Sequence, residues 1–149
     1  MARILIVAHA PLASALLQVA QHVFPECGVG LRAVDVVPDA SGEDVQAQVQ
    51  AALGEQPALE VLILTDVFGA TPCNAALAVA DGVRSRIVAG VNVPMLWRTL
   101  CYQDDPLDDL VNRAVAGAGQ GVMHVTVPKR QNQPAANPAH DQVQHHHLQ

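Results

Sequence analysis

Aromatic side chains are nearly absent: the chain has one Trp, one Tyr and two Phe, 3% of its residues. A core must then be filled by Ala, Val and Leu, which suits the thin, repetitive layers of an α/β fold better than a β-sandwich. Basic charge is also scarce. Eight Lys and Arg against fourteen Asp and Glu give a formal net charge of -6, and the basic residues are scattered along the chain. That argues against a nucleic-acid footprint and against an anionic membrane surface. The three cysteines, Cys27, Cys73 and Cys101, make no CxxC spacing, so neither a disulfide framework nor a zinc site is indicated. Each is expected to be a small buried hydrophobe. No apolar run is long enough to span a bilayer, and Arg3 leads straight into a strand pattern without a cleavage signature. A cytoplasmic chain that does not insert into membranes is expected. Also missing are GxxxxGK[ST], a GxGxxG after the first strand, and paired acids placed for Mg²⁺. No cofactor and no metal are expected, and a phosphoryl donor would not be a nucleotide bound here.

What is present is a hydrophobic half of 149 residues, one domain's worth, able to bury about two thirds of its unfolded surface. A βα rhythm runs through it. "ILIVA", Ile4 to Ala8, reads as a strand covered on both faces. Pro11 then stands where a helix would begin, and Leu12, Leu16, Val19 and Val23 follow at helical spacing until Pro25 and Gly28. A second strand is predicted over Leu31 to Val37, with Ser41 and Asp44 resembling a capping box for a helix through Leu53. The third, Leu59 to Thr65, is nearly continuous apolar sequence ending in Asp66; Thr71 is expected to cap the next helix with Pro72 in its first position. Ser85 to Val91 forms a fourth strand, followed by Asn92 and a helix from about Pro94. In "DDPLDDL", Asp105 is expected as cap and Pro106 as first residue, with Asp108 and Asp109 favoured by the helix dipole. A last strand is expected over Gly121 to Val127, with His124 in its middle as a satisfied or edge-facing residue. Residues 129–149, poor in apolar side chains, are expected to be a disordered tail, and His140 and His145 to His147 to be solvated within it. The domain proper covers 1–128. The predicted architecture is a doubly wound, mostly parallel sheet with helices on both faces.

In such sheets ligands bind beyond the carboxyl ends of the strands. His9 ends the first strand there, Asp66 the third, and Gly90 to Pro94 the fourth. Alone, His9 is most simply a structural residue. Beside Asp66 it becomes a candidate nucleophile, because a carboxylate that holds one ring nitrogen protonated leaves the other with its lone pair. Thr71, the N–H groups opening its helix and those near Ala10 are candidate phosphate contacts, with Gly69 letting the backbone come close. Phosphoryl transfer onto imidazole fits this set, since positioning and charge stabilisation do nearly all the work.

Three stretches, "ILIVAHAPLASAL", "VLILTDVFGATPCNAA" and "IVAGVNVPML", together resemble the mannose-type EIIA proteins of the bacterial phosphoenolpyruvate-dependent sugar phosphotransferase system. The resemblance runs from about Arg3 to Val127. It implies that His9 takes a phosphoryl group from phospho-HPr and passes it to an EIIB component, with Asp66 bonded to the His and Thr71 beside the phosphate. It further implies four parallel strands plus an antiparallel fifth, Gly121 to Val127, exchanged between the subunits of a homodimer. Two alternatives share the same His9 chemistry: a regulatory module whose surface changes on phosphorylation, and the EIIA-like phosphodonor subunit of dihydroxyacetone kinase.

Overall fold

The computed structural model describes residues 1–56 and 58–130. The order is β1 (Arg3–His9), α1 (Leu12–Val23), β2 (Arg32–Val36), α2 (Gly42–Leu53), β3 (Val61–Thr65), α3 (Thr71–Val79), β4 (Ser85–Ala89), α4 (Val93–Cys101) and α5 (Leu107–Gln120). All strand pairings are parallel, in the spatial order β2-β1-β3-β4.

Strand alternation sorts the apolar run of β1 between two cores. Ile4, Ile6 and Ala8 pack with Leu62 and Leu64 of β3 against α1, α4 and α5, while Leu5 and Val7 pack with Val61 and Ile63 against α2 and α3. Every residue of β3 is buried, as expected of a strand sandwiched between helix layers. Truncating one of them, Ile63→Ala, is expected to cost about 2–5 kcal/mol.

The strand order also locates the site. From β1 the chain moves to β2, and from β3 it moves the other way to β4, so α1 and α3 depart to opposite faces. The crevice at such a switch point, between the carboxyl ends of β1 and β3, is the ligand position of doubly wound sheets. His9 and Asp66 stand at it.

Helix starts follow sequence chemistry at two places and depart from it at two others. Ser41 caps α2, its side chain accepting the Asp44 N–H at 3.1 Å, and Asn92 caps α4 through the Met95 N–H at 2.9 Å. For α3 the cap is Ala70, in extended conformation, so Thr71 is already the first helical residue and Pro72 the second. Pro is tolerated there because its missing N–H has no intrahelical partner. For α5 the cap is Pro106 and the first residue Leu107, one later than expected. The Asp105 carboxylate is engaged elsewhere, accepting Arg113 Nε at 2.5 Å.

Residues 121–127 leave α5 without joining a strand of the same chain, and Val122, Met123, Val125 and Val127 are exposed, as is His124. Among the described residues nothing pairs with this segment, so the expected fifth strand is not formed there. Cys73 is buried as expected, Cys27 is half-buried, and Cys101 is exposed on α4, contrary to expectation. Of the expected tail, residues 131–149 lie outside the described residues, His140 and His145 to His147 among them.

Candidate functional site

β1 ends by lifting His9 out of the core: Ala8 is fully buried, whereas the His9 side chain is 51% exposed. Asp66, immediately after β3, is only 13% exposed and turns both oxygens inward to donors. Its Oδ2 accepts the His9 backbone N–H at 2.9 Å and lies 2.6 Å from ring Nδ1, while Oδ1 accepts the Val67 N–H at 2.9 Å. The backbone bond sets His9 and Asp66 side by side whatever the ring does. The ring bond then selects the tautomer with hydrogen on Nδ1, because an ionised carboxylate only accepts. Among the described residues Nε2 has no hydrogen-bond partner.

Partial burial by itself would push the Asp66 carboxyl up. The His9 backbone N–H, the His9 ring and the Val67 N–H outweigh it and hold the group below its ordinary value of 3.8. Asp66 is thus an anion at neutral pH, available to stabilise positive charge on the imidazole.

The third wall of the crevice comes from β4. Gly90, at φ 92°, donates its N–H to the Thr65 and Asp66 carbonyls at 2.9 and 3.0 Å, and Val91 to Thr65 at 3.0 Å. Asn92 ties this loop to α5 by donating Nδ2 to the Ala118 carbonyl at 3.3 Å. The end of α5 lies so close that a Cβ on Gly121 would come within 2.2 Å of Pro94 Cβ.

Between β3 and α3, Gly69 adopts φ 88°, a conformation only glycine holds without strain, and its carbonyl accepts Asn74 Nδ2 at 3.3 Å. Thr71 is exposed in the first turn of α3. Its N–H and that of Cys73 have no partner within the helix, and the cap, Ala70, supplies no side-chain acceptor. The structure therefore brings His9, Asp66, Gly69 and Thr71 to one edge of the sheet. Ala10 is a correction. Its N–H donates to the Val36 carbonyl at 2.9 Å, extending the β1–β2 ladder, and is not available to an anion.

Sequence patterns did not single out Asn74, Asp35 or the apolar side chains around the edge. Asp35, in β2, accepts the Ser14 N–H at 3.0 Å, a partner 21 positions away with no local signature. Leu12, Val37, Val67, Phe68 and Val93 are all exposed. Val37, Val67 and Phe68 lie in the connections after β2 and β3, Leu12 and Val93 open α1 and α4, and Phe68 is 78% exposed. Every segment that follows a strand's carboxyl end thus exposes an apolar side chain, the kind of surface that marks interaction sites when it is contiguous.

A family model described as "PTS system fructose IIA component", EIIA-man, matches residues 3–115. The mannose-specific EIIAB component of Escherichia coli K12 is 38% identical over 93 residues, 60% of this chain and 29% of that protein. The fructose-specific EIIA component of Bacillus subtilis 168 is 39% identical over 90 residues, 56% of this chain and 62% of that one. The chain thus matches less than a third of the Escherichia coli relative's length. The mannose/sorbose specific IIA subunit from Enterococcus faecalis superposes with a TM-score of 0.79 at 24% identity, over 87% of this chain and 98% of the other. The EIIA component from Streptococcus agalactiae gives a TM-score of 0.75 at 23% identity, over 83% and 97%. At those identities the solved structures establish a common fold, and no helix among the described residues is long and apolar enough to cross a membrane. The family match spans every strand and runs into α5, so the chain belongs to the EIIA-man family of sugar phosphotransferase system components.

Proposed function

We propose that this chain is a phosphohistidine carrier of the sugar phosphotransferase system, accepting a phosphoryl group on His9 from phospho-HPr and passing it to an EIIB component. The observation that carries the proposal is the 2.6 Å contact between Nδ1 and Asp66, with Nε2 beside it unpartnered among the described residues. In the transfer, the Nε2 lone pair attacks phosphorus as the bond from phosphorus to the donor's phosphorylated side chain breaks and its electron pair returns to that side chain. The Nδ1 proton stays on His9, shared with Asp66, whose charge offsets that developing on the ring. The Thr71 hydroxyl and the N–H groups of Thr71 and Cys73 receive phosphoryl oxygens at the start of α3, with Gly69 shaping the approach.

Leu12, Val37, Val67, Phe68 and Val93 support a protein as donor and acceptor, since apolar surface at an edge suits docking of another chain. The open edge of β4 and the exposed apolar residues after α5 support a homodimer in which 121–127 pair with the partner's sheet. Such a carrier acts in the cytoplasm.

Incubation with phosphoenolpyruvate, enzyme I and HPr tests the carrier role. Acid-labile phosphate is expected on wild type and not on His9→Ala; equal labelling of both, or none on wild type, removes the mechanism. Offering the labelled protein to an EIIB component or to the nucleotide-binding subunit of dihydroxyacetone kinase identifies the acceptor, with drainage by EIIB expected. Light scattering in solution reads the dimer, and a monomer mass would discard it.

A further inference from the structure

Two carboxylates mark the ends of the strands that flank β1. Asp66, after β3, serves His9 itself; Asp35, the penultimate residue of β2, serves the segment that follows. Asp35 stands opposite Ala8 and its neighbour Val36 opposite His9. Its Oδ1 accepts the Ser14 N–H at 3.0 Å, in the first turn of α1. It does what the cap position cannot, since Pro11 has no side-chain acceptor. The same turn is tightened by Ser14 Oγ, which donates to the Pro11 carbonyl at 3.2 Å. Next to it, the Val36 carbonyl takes the Ala10 N–H at 2.9 Å.

Only Ala10 and Pro11 separate His9 from α1. His9 is consequently held from both sides: β3 grips its backbone N–H and ring through Asp66, and β2 grips the two residues after it and the helix they lead into. A shift of α1 would pass directly to the His9 backbone, because a two-residue connection has no slack to absorb it.

We propose that Asp35 is a positioning residue for His9: by capping α1 from the neighbouring strand it fixes the Ala10–Pro11 connection, and with it the direction in which the imidazole meets Asp66. Its consequence for transfer rests on the carrier role proposed above; its effect on the ring does not. Asp35 touches no phosphoryl group and acts through the backbone.

The test compares wild type with Asp35→Ala, which deletes the acceptor, and Asp35→Asn, which keeps an acceptor oxygen without the charge. In the unphosphorylated protein, nitrogen chemical shifts of the His9 ring report the tautomer. Asp35→Ala is expected to move the ring away from the Nδ1–H form, and Asp35→Asn to restore it. With phospho-HPr as donor, kcat is expected to fall about tenfold in Asp35→Ala with KM within about twofold, since small misplacements of a reacting group act on kcat. Ser41→Ala, which removes the comparable cap of α2, is expected to lower stability and change neither readout. Should Asp35→Ala fail to fold, Ser14→Pro deletes the same donor from the first turn of α1, where Pro is tolerated, and is expected to shift the ring likewise. Wild-type ring shifts and transfer in Asp35→Ala overturn the proposal, as does a loss in Ser41→Ala as large as in Asp35→Ala. If no protein takes label yet Asp35→Ala shifts the ring, the carrier role fails and the positioning stands.

Discussion

Two helices begin beside His9, and they begin in opposite ways. α1 opens on Pro11, which has no side chain able to cap, yet its first turn is filled by the Asp35 carboxylate from β2. α3 opens on Ala70, equally unable to cap, and among the described residues no side chain accepts from its first turn. A helix N-terminus attracts negative charge through its unpaired N–H groups and its dipole. At α1 the protein has satisfied that attraction with its own carboxylate, so the helix is a fixed structural element. At α3 the attraction is left for something else, and the exposed Thr71 stands there. Under the proposed carrier role, the difference separates the half of the crevice that holds His9 from the half open to a phosphoryl group.

The strongest way to break the contrast is through the residue that both halves share. Asp66→Asn keeps the side-chain shape but loses the charge and the pure-acceptor character that select the ring tautomer. Transfer from phospho-HPr is expected to slow by about 100-fold or more, measured by rapid-quench labelling, with the fold intact by circular dichroism. Filling the open helix start comes next. Ala70→Asp gives α3 a cap of its own, and should stabilise the protein by about 1 kcal/mol in urea unfolding. The same carboxylate would compete with phosphoryl oxygens, and a drop in transfer of about tenfold is expected, equivalent to about 1.4 kcal/mol. A more stable protein with unchanged transfer would move the phosphate away from α3.

Gly69→Ala tests the approach to α3 more gently. At φ 88° an added Cβ meets no neighbouring atom, so the cost is backbone strain alone, about 1 kcal/mol, with a corresponding fall in midpoint of thermal unfolding. The smallest effect is one of pH. Because the folded structure lowers the Asp66 carboxyl below its ordinary value of 3.8, its contribution to stability is present above that value and is lost as pH falls from it through the lower folded one. The stability difference between wild type and Asp66→Asn is therefore expected to narrow from pH 5 to pH 3, followed by urea unfolding across that range.

Much of this was legible in the residues because it rests on local chemistry. Apolar runs long enough to be buried on both faces announce β1 and β3, and a polar residue ending each run announces the edge, so His9 and Asp66 stood out together. Ser41 was recognisable because its partner is three positions away. Asp35 was not, because its partner is brought to it only by the pairing of β1 with β2. The Ala10 N–H was misassigned for the same reason: a donor's availability depends on which carbonyl the neighbouring strand presents. Thr71 has the chemistry of a cap but lies one position into α3, where the backbone has already turned helical. The alternation of Gly121 to Val127 suits a strand, yet a strand needs a ladder partner, and none is offered among the described residues.

By itself, then, the sequence determined the βα rhythm, the two-faced burial of the central strands and the choice of His9 and Asp66 as the candidate pair, since hydrophobic periodicity and side-chain chemistry are properties of neighbouring residues. Tertiary structure alone decided which helix start is closed and which is open, which backbone donors remain free, and how His9 is gripped from both sides. Those outcomes depend on strand order and register, which bring together groups 21 and 57 positions apart in the chain that carry no local mark of belonging to each other.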